Sequence, residues 1–365
     1  MSQFKYRADT EGMLNTYLDW YKQAEYILSL KPSLPDKFKT SKGAREYHRP
    51  QHIIICGLGG SGIAGDLVKD ALGNEIKVPI EIVKEYTLPS YAGEETLVIA
   101  VSYSGNTEET LSCYVEAVEK NCMIASISSG GYLKKFSEKT GALHIDLMSG
   151  YQPRASLPQL LFAILKTLET LKIVSGQPYA EVIQVLRENK TNFSPENEQN
   201  KAKELAEKLY RKIPVIYGHS FYKGVAIRLK NEFNENTKIP AKAEVFPELD
   251  HNDIVGWEDN ELSKNFTAII LRNEEEYMKE RIEATIDIMK KYGAEVIELS
   301  SRAETVLAKI MDICHLGGLA SIYLALLYGR DPALIEPISL LKKRLGEKVG
   351  LQKKLLEKLS KTVSQ

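Results

Sequence analysis

The sequence predicts an α/β fold made of two doubly wound domains, each a mainly parallel sheet flanked by helices. Three observations carry this. Short apolar runs alternate with helix-period segments over 52–147 and again over 214–328. Both blocks open on an apolar run that ends in a glycine turn and leads into a helix. In the first this is Ile53-Ile54-Ile55-Cys56-Gly57-Leu58-Gly59-Gly60-Ser61-Gly62, and in the second Pro214-Val215-Ile216-Tyr217-Gly218-His219. The chain's 365 residues also exceed what one hydrophobic core usually holds.

In chain order, a helix is expected over 9–30, then a Pro/Lys-rich link. Strands follow at 52–57, 80–86, 96–103, 122–129 and 144–147, with helices 63–72 and 108–120 between them. Such continuous apolar strands suit a parallel sheet covered on both faces. A helical pattern over 157–171 leaves the sheet, and 178–212 reads as mostly polar helix. The second block gives a strand from Pro214, helix 221–232, strands 243–246 and 266–271, helix 274–292, strand 295–299 and helix 303–328. A Lys/Leu-rich amphipathic helix is expected after Leu345. The domain reading is 1–155, a helical connection over 156–200, a second domain over 201–330, and a tail over 331–365.

Charge excludes several classes of partner. Lys and Arg number 48 against 49 Asp and Glu, a formal net charge of −1, so no basic footprint for nucleic acid is expected. The N-terminus lacks an apolar leader, and no uninterrupted apolar stretch approaches the roughly 20 residues that span a bilayer. The four cysteines form neither CxxC pairs nor a disulfide framework. A cytoplasmic protein without membrane partners is the expectation.

The glycine turn after Cys56 ends a buried strand where a new helix exposes unpaired N–H groups, a setting that attracts phosphate. It also satisfies GxGxxG, but a dinucleotide site wants an acidic residue about 20 positions on, and Glu85 comes late for it. A turn that merely packs a helix on a sheet is the third reading. The second turn, Ser102-Tyr103-Ser104-Gly105-Asn106-Thr107, brings three hydroxyls to another helix start. Ser104 or Thr107 as a plain N-cap needs one hydroxyl; three favour a ligand. Together the turns point to one phosphorylated small molecule held by Ser102, Ser104 and Thr107 with the backbone around Gly60 and Ser61.

Here the two turns, 57–66 and 102–110, resemble the sugar isomerase (SIS) domain. Further on stand Tyr151-Gln152-Pro153-Arg154-Ala155-Ser156, then Asn231-Glu232-Phe233-Asn234-Glu235-Asn236, then Pro247-Glu248-Leu249-Asp250-His251-Asn252. In that order and spacing they resemble the bifunctional phosphoglucose/phosphomannose isomerases, from about residue 53 to 345. The resemblance implies SIS-type domains, hexose 6-phosphate substrates and no metal or cofactor. It implies Glu235 as the base between C1 and C2, with Glu232 its rival, and Arg154 stabilising the enediolate. His251 would open the sugar ring, helped by Lys342 or its neighbour Lys343. It further implies a homodimer, with His251 reaching into the partner's site. Taken singly, Glu235 reads as a solvated carboxylate, His251 as a structural or exposed loop histidine and Arg154 as a surface charge. A phosphoglucose-only isomerase, a non-catalytic SIS regulator and, third, a dinucleotide oxidoreductase stay as alternatives. His219 and His315 are given no active role. The tail after Leu345 departs from the family pattern.

Overall fold

The computed structural model describes residues 4–73, 75–348 and 350–363. The chain forms an α/β structure of two compact units, each with its own parallel sheet. The N-sheet unit takes Lys22–Gln177 and the chain from Ile335 on; the C-sheet unit takes the chain up to Tyr21 and Pro178–Leu334. Both units are discontinuous, because the two ends of the chain pack on elements distant in sequence.

The expected link before the first block contains a small antiparallel hairpin, β1 (Phe38–Thr40) with β2 (Gly43–Arg45). The N-sheet comprises β3 (His52–Cys56), β4 (Ile80–Val83), β5 (Thr96–Val101), β6 (Met123–Ser128) and β7 (Leu143–Asp146). All pairings are parallel, in the order β4-β3-β5-β6-β7. β5 and β6 are buried at every position, which explains their unbroken apolar runs. Helices Gly59–Leu72, Glu108–Glu119, Gly131–Thr140 and Leu157–Thr170 cover the sheet.

The tail helix lies at Leu351–Thr362 and packs on Glu108–Glu119 and Gly131–Thr140. Its Leu359 is fully buried, and Lys358 pairs with Glu119 at 2.8 Å. The Lys/Leu alternation is therefore an amphipathic face spent within the N-sheet unit.

The C-sheet comprises β8 (Ile213–Gly218), β9 (Lys242–Val245), β10 (Phe266–Leu271) and β11 (Glu295–Leu299), all parallel, in the order β11-β10-β8-β9. Both sheets thus begin in the middle, add the second strand on one side and continue on the other. Helix Val306–Tyr328 is long and apolar enough to cross a membrane by length and composition, yet 89% of its apolar window is buried inside the protein. It is the core helix of this unit, packed by helices Tyr179–Asn192, Lys201–Lys208 and Lys223–Glu232.

The helix expected over 9–30 is two helices, Met13–Leu18 and Trp20–Ser29. They part at Asp19, whose carboxylate accepts a hydrogen bond from Lys190 at 2.7 Å. The Asp9 carboxylate caps the first by accepting from the Met13 and Leu14 amides at 2.7 and 2.9 Å.

His315, on the core helix, is wholly buried and stacks on Trp20 at 5.0 Å. Its Nε2–H donates to the Tyr17 carbonyl at 2.8 Å, while Nδ1 has no hydrogen-bond partner. Burial disfavours the charged ring and pushes its pKa down from 6.5 to about 4, against the opposing Tyr17 carbonyl. The unfolded chain then binds a proton that the folded one refuses, so this contribution is complete above about 6.5 and falls away as pH drops toward 4. That interval is worth about 3 kcal/mol. Urea unfolding at pH 7 and 4.5 is expected to give a stability difference that shrinks by up to this amount in His315→Gln. An unchanged difference rejects the assignment.

Candidate active site

Strands β3 and β5 are neighbours at the point where the N-sheet order reverses, the place where open parallel sheets leave a crevice beyond their carboxyl ends. Both candidate phosphate turns leave these strands. After β3, Leu58 stays extended (φ −120°, ψ 160°) and helix Gly59–Leu72 starts at once. The amides of Gly59 and Gly60 thereby lack intrahelical acceptors and face forward at the positive end of the dipole. The Ser61 amide donates to the Leu58 carbonyl at 3.1 Å, and the Ser61 hydroxyl accepts from the Tyr103 amide at 3.2 Å. Ser61 therefore ties the first turn to the second.

In the second turn Ser102 is buried and its hydroxyl shares a 2.9 Å hydrogen bond with that of Thr107. Thr107 stands at the N-cap of helix Glu108–Glu119, yet its side chain makes no capping bond. The plain N-cap reading accounts for neither hydroxyl. Ser104 is exposed, and its oxygen accepts from the Asn106 amide at 3.3 Å. Gly105 has φ +68°, a conformation few other residues adopt, and its own carbonyl accepts from the Leu133 amide at 2.9 Å.

Arg154 joins this cluster through Gly60. A Cβ on Gly60 would lie 2.8 Å from the Pro153 carbonyl oxygen and 3.4 Å from the Arg154 Cα. The Pro153–Ser156 turn is thus pressed onto the start of the first helix, with Arg154 only 3% exposed. A surface charge is excluded. The structure also places Lys84 here, one residue beyond β4: its Nζ pairs with Asp66 at 2.6 Å, and its Cε lies 3.3 Å from where a Gly62 Cβ would be. Its sequence signal was its place at the carboxyl end of the adjoining strand.

Glu235 belongs to the C-sheet unit. Helix Lys223–Glu232 does not stop there but widens into a single π-helical turn, Phe233–Thr237, a distortion frequently found at functional sites. Phe233, Asn236 and Thr237 are buried, whereas Glu235 is only half-buried. Asn236 Nδ2 donates to Ser321 Oγ at 2.9 Å and Thr237 Oγ1 to the Ser321 carbonyl at 2.7 Å, so the turn is pinned to the core helix by the two residues that follow its carboxylate.

The rival Glu232 is fully engaged. It forms a buried ion pair with Arg228 and accepts from the Tyr17 hydroxyl and from Asn236 Nδ2, both at 2.7 Å. Burial alone would lower the Arg228 pKa; Glu232 first, with Glu235 further down, raises it instead. Glu232 compensates a buried cation.

His251 is exposed, on the short helical turn Glu248–His251 that packs against β9. Lys342 and Lys343 are both exposed on helix Glu336–Lys348 of the N-sheet unit. The C-sheet has its own reversal between β8 and β10. There His219 is buried, its Nε2 has no partner, and burial lowers its pKa despite the charge of Glu274. Beyond β10 stands an internal Arg272–Glu274 ion pair in place of free hydroxyls. A cavity of about 290 Å³ lies elsewhere in this unit, bordered by Tyr217, Lys242, Asp253, Trp257, Leu262 and Phe266.

Residues 46–138 match the SIS domain family, and residues 198–345 match the bacterial phospho-glucose isomerase C-terminal SIS domain. A bifunctional phosphoglucose/phosphomannose isomerase of Caldicellulosiruptor bescii is 38% identical over 81% of this chain and 89% of its own. The chain belongs to that family. A second member, from Aquifex aeolicus, is 33% identical over 88% of this chain and 98% of its own. The fold recurs at 17% identity in the C-terminal domain of glucosamine-fructose-6-phosphate aminotransferase from Francisella tularensis, with a TM-score of 0.64 over 89% of this chain and 99% of that one.

The two family carboxylates are separable by experiment. Glu232→Ala strands Arg228 in the core and is expected to cost about 3–5 kcal/mol in urea unfolding. Glu235→Gln, at a half-exposed position, is expected to leave the unfolding midpoint close to wild type. Equal destabilisation by both would refute the division of labour.

Proposed function

We propose that the chain interconverts fructose 6-phosphate with glucose 6-phosphate and mannose 6-phosphate through a cis-enediolate. The observation that carries this reading is the coincidence, in a member of this isomerase family, of a hydroxyl-rich double turn beside Arg154 with a carboxylate presented on a pinned π-turn.

The phosphate is held by the Ser102, Ser104 and Thr107 hydroxyls and the helix start at Gly60 and Ser61. An anion there is favoured by the unpaired amides and the dipole. Arg154, desolvated against Gly60, supplies a preorganised cation for the charge that develops on the enediolate oxygen. Its burial keeps it in one place and strengthens its field.

Glu235 carries the proton between C1 and C2. A carboxylate suits this shuttle because it can take and return the proton on one face of a planar intermediate, and half-burial leaves it reachable while limiting its hydration. Ring opening moves a proton from hydroxyl to ring oxygen, and His251 performs it with Lys342 as helper. The enediol has no stereocentre at C2, so rotation about C2–C3 offers either face to one base, which accounts for two epimers. We place this chemistry in the cytoplasm, in a homodimer whose partner receives His251; the four buried, free cysteines fit a reducing compartment.

The deciding assay incubates the protein with fructose 6-phosphate in EDTA and quantifies both aldose phosphates. Both products are expected; glucose 6-phosphate alone would narrow the activity, and binding without turnover would indicate a sugar-phosphate sensor. Glu235→Gln is expected to lower kcat by about 10²-fold or more while phosphate-ligand affinity stays within a few-fold. Retention of a tenth of the wild-type rate would rule Glu235 out as the base.

A further inference from the structure

We infer that Asp250 and Asp253, with the groups that hold them, are positioning residues that aim His251; this rests on the ring-opening role proposed for that histidine. His251 is exposed, and its ring makes no hydrogen bond among the described residues. Its neighbours on both sides are fastened to different parts of the C-sheet unit.

On one side, the Asp250 carboxylate accepts from Arg281 Nη1 at 3.0 Å and from Thr285 Oγ1 at 2.9 Å, both on helix Glu276–Lys291. Its side chain is only 11% exposed. On the other, the Asp253 carboxylate accepts from the Tyr217 hydroxyl at 2.5 Å and pairs with Lys242. Tyr217 lies on β8 and Lys242 opens β9, so this anchor is sheet-borne.

The Tyr217 hydroxyl also accepts from Trp257 Nε1 at 2.8 Å, which fixes the far end of the following turn, Asp253–Glu258. Burial, and after it the charge of Asp253, push the Tyr217 phenol far above its ordinary range, so it stays a neutral donor at any working pH. Between the anchors, the Asn252 side chain spans the joint: its amide nitrogen donates to Glu248 at 2.9 Å and its oxygen accepts from the Asp253 amide at 2.7 Å. Leu249 and Trp257 bury the apolar side of the segment with Tyr217 and Phe246.

Two shielded carboxylates one residue before and two residues after an exposed imidazole, each tied to a separate rigid element, leave the backbone at His251 little freedom. An outward-facing loop histidine with no catalytic duty needs no such bracing. Misplacement of a proton-transfer group by about 1 Å costs on the order of 10²-fold in rate, so loosening one anchor of two should cost less.

The test is a set of double-mutant cycles on the full-length protein, with kcat and KM measured on fructose 6-phosphate and folding checked by thermal melts. The double variant Tyr217→Phe, Lys242→Met releases the sheet anchor, and the double variant Arg281→Met, Thr285→Val releases the helix anchor without touching the turn. Each is expected to lower kcat by about tenfold at nearly unchanged KM. In a His251→Ala background neither should lower it further, because the group being aimed is gone. If His251→Ala is itself harmless, the role of the histidine fails and the inference falls with it. If His251→Ala is impaired but the anchor variants keep wild-type kcat, or their losses add fully in that background, the histidine stands and the anchoring is overturned.

Discussion

A charge taken out of water must be matched, and in the C-sheet unit that requirement organises everything around the Arg228–Glu232 ion pair. Both side chains are essentially without solvent contact, 2% and 0% exposed. Glu232 satisfies its remaining lone pairs with Tyr17, 215 positions earlier in the chain, and with Asn236 one helical turn later. Such a pair adds little net stability over well-packed apolar residues, but leaving either member alone is severe, so its geometry is strongly specified. The consequence is positional. Asn236, held by Glu232 and Ser321, fixes the π-turn whose half-exposed member is Glu235. The same pair explains why the chain's first helices belong to this unit: Tyr17 is one of its ligands, and Gly318 on the core helix leaves room for the Tyr17 ring.

The N-sheet unit answers a different constraint, the unpaired amides at helix starts. Two turns leave adjacent strands at the reversal of the sheet order, and Ser61 links them through the Tyr103 amide. Gly60 is required there because the Pro153 carbonyl occupies the space of a side chain, and that close approach sets Arg154 against the turn. At the equivalent place in the C-sheet unit stand the buried His219, whose Nε2 has no partner among the described residues, and the Arg272–Glu274 ion pair. One sheet topology thus appears twice, once with hydroxyls at the reversal of the strand order and once with a histidine and an ion pair there.

Glu235 and His251 share one device. Each is accessible, and each lies between residues that are buried or hydrogen-bonded into the core: Phe233, Asn236 and Thr237 for the carboxylate, Asp250 and Asp253 for the imidazole. Exposure leaves each group open to solvent between neighbours held in the fold.

What the sequence determined by itself was everything governed by local periodicity. The strands and their alternation with helices follow from apolar runs whose spacing is set by backbone geometry; β10 and β11 were legible to the residue, and the two glycine turns were legible because glycine and hydroxyl residues cluster where a strand becomes a helix. The motifs carrying Arg154, Glu235 and His251 stood out only through the resemblance to a known family; taken singly, each of these residues read as a surface or structural group. The short hairpin at β1 and β2 was not legible, since three-residue strands carry too little pattern, nor was the break at Asp19, a single residue that leaves helical geometry. Only the tertiary structure set Glu232 and Glu235 apart: the two carboxylates are three residues apart with similar neighbours, yet Glu232 is buried against Arg228 and Tyr17 while Glu235 stays half-exposed. It alone showed that Arg154 is desolvated against Gly60, that Thr107 does not cap its helix, and that the tail helix is spent on Glu108–Glu119 and Gly131–Thr140. These are contacts between residues far apart in the chain, and a pairing over such distances depends on how the whole core packs.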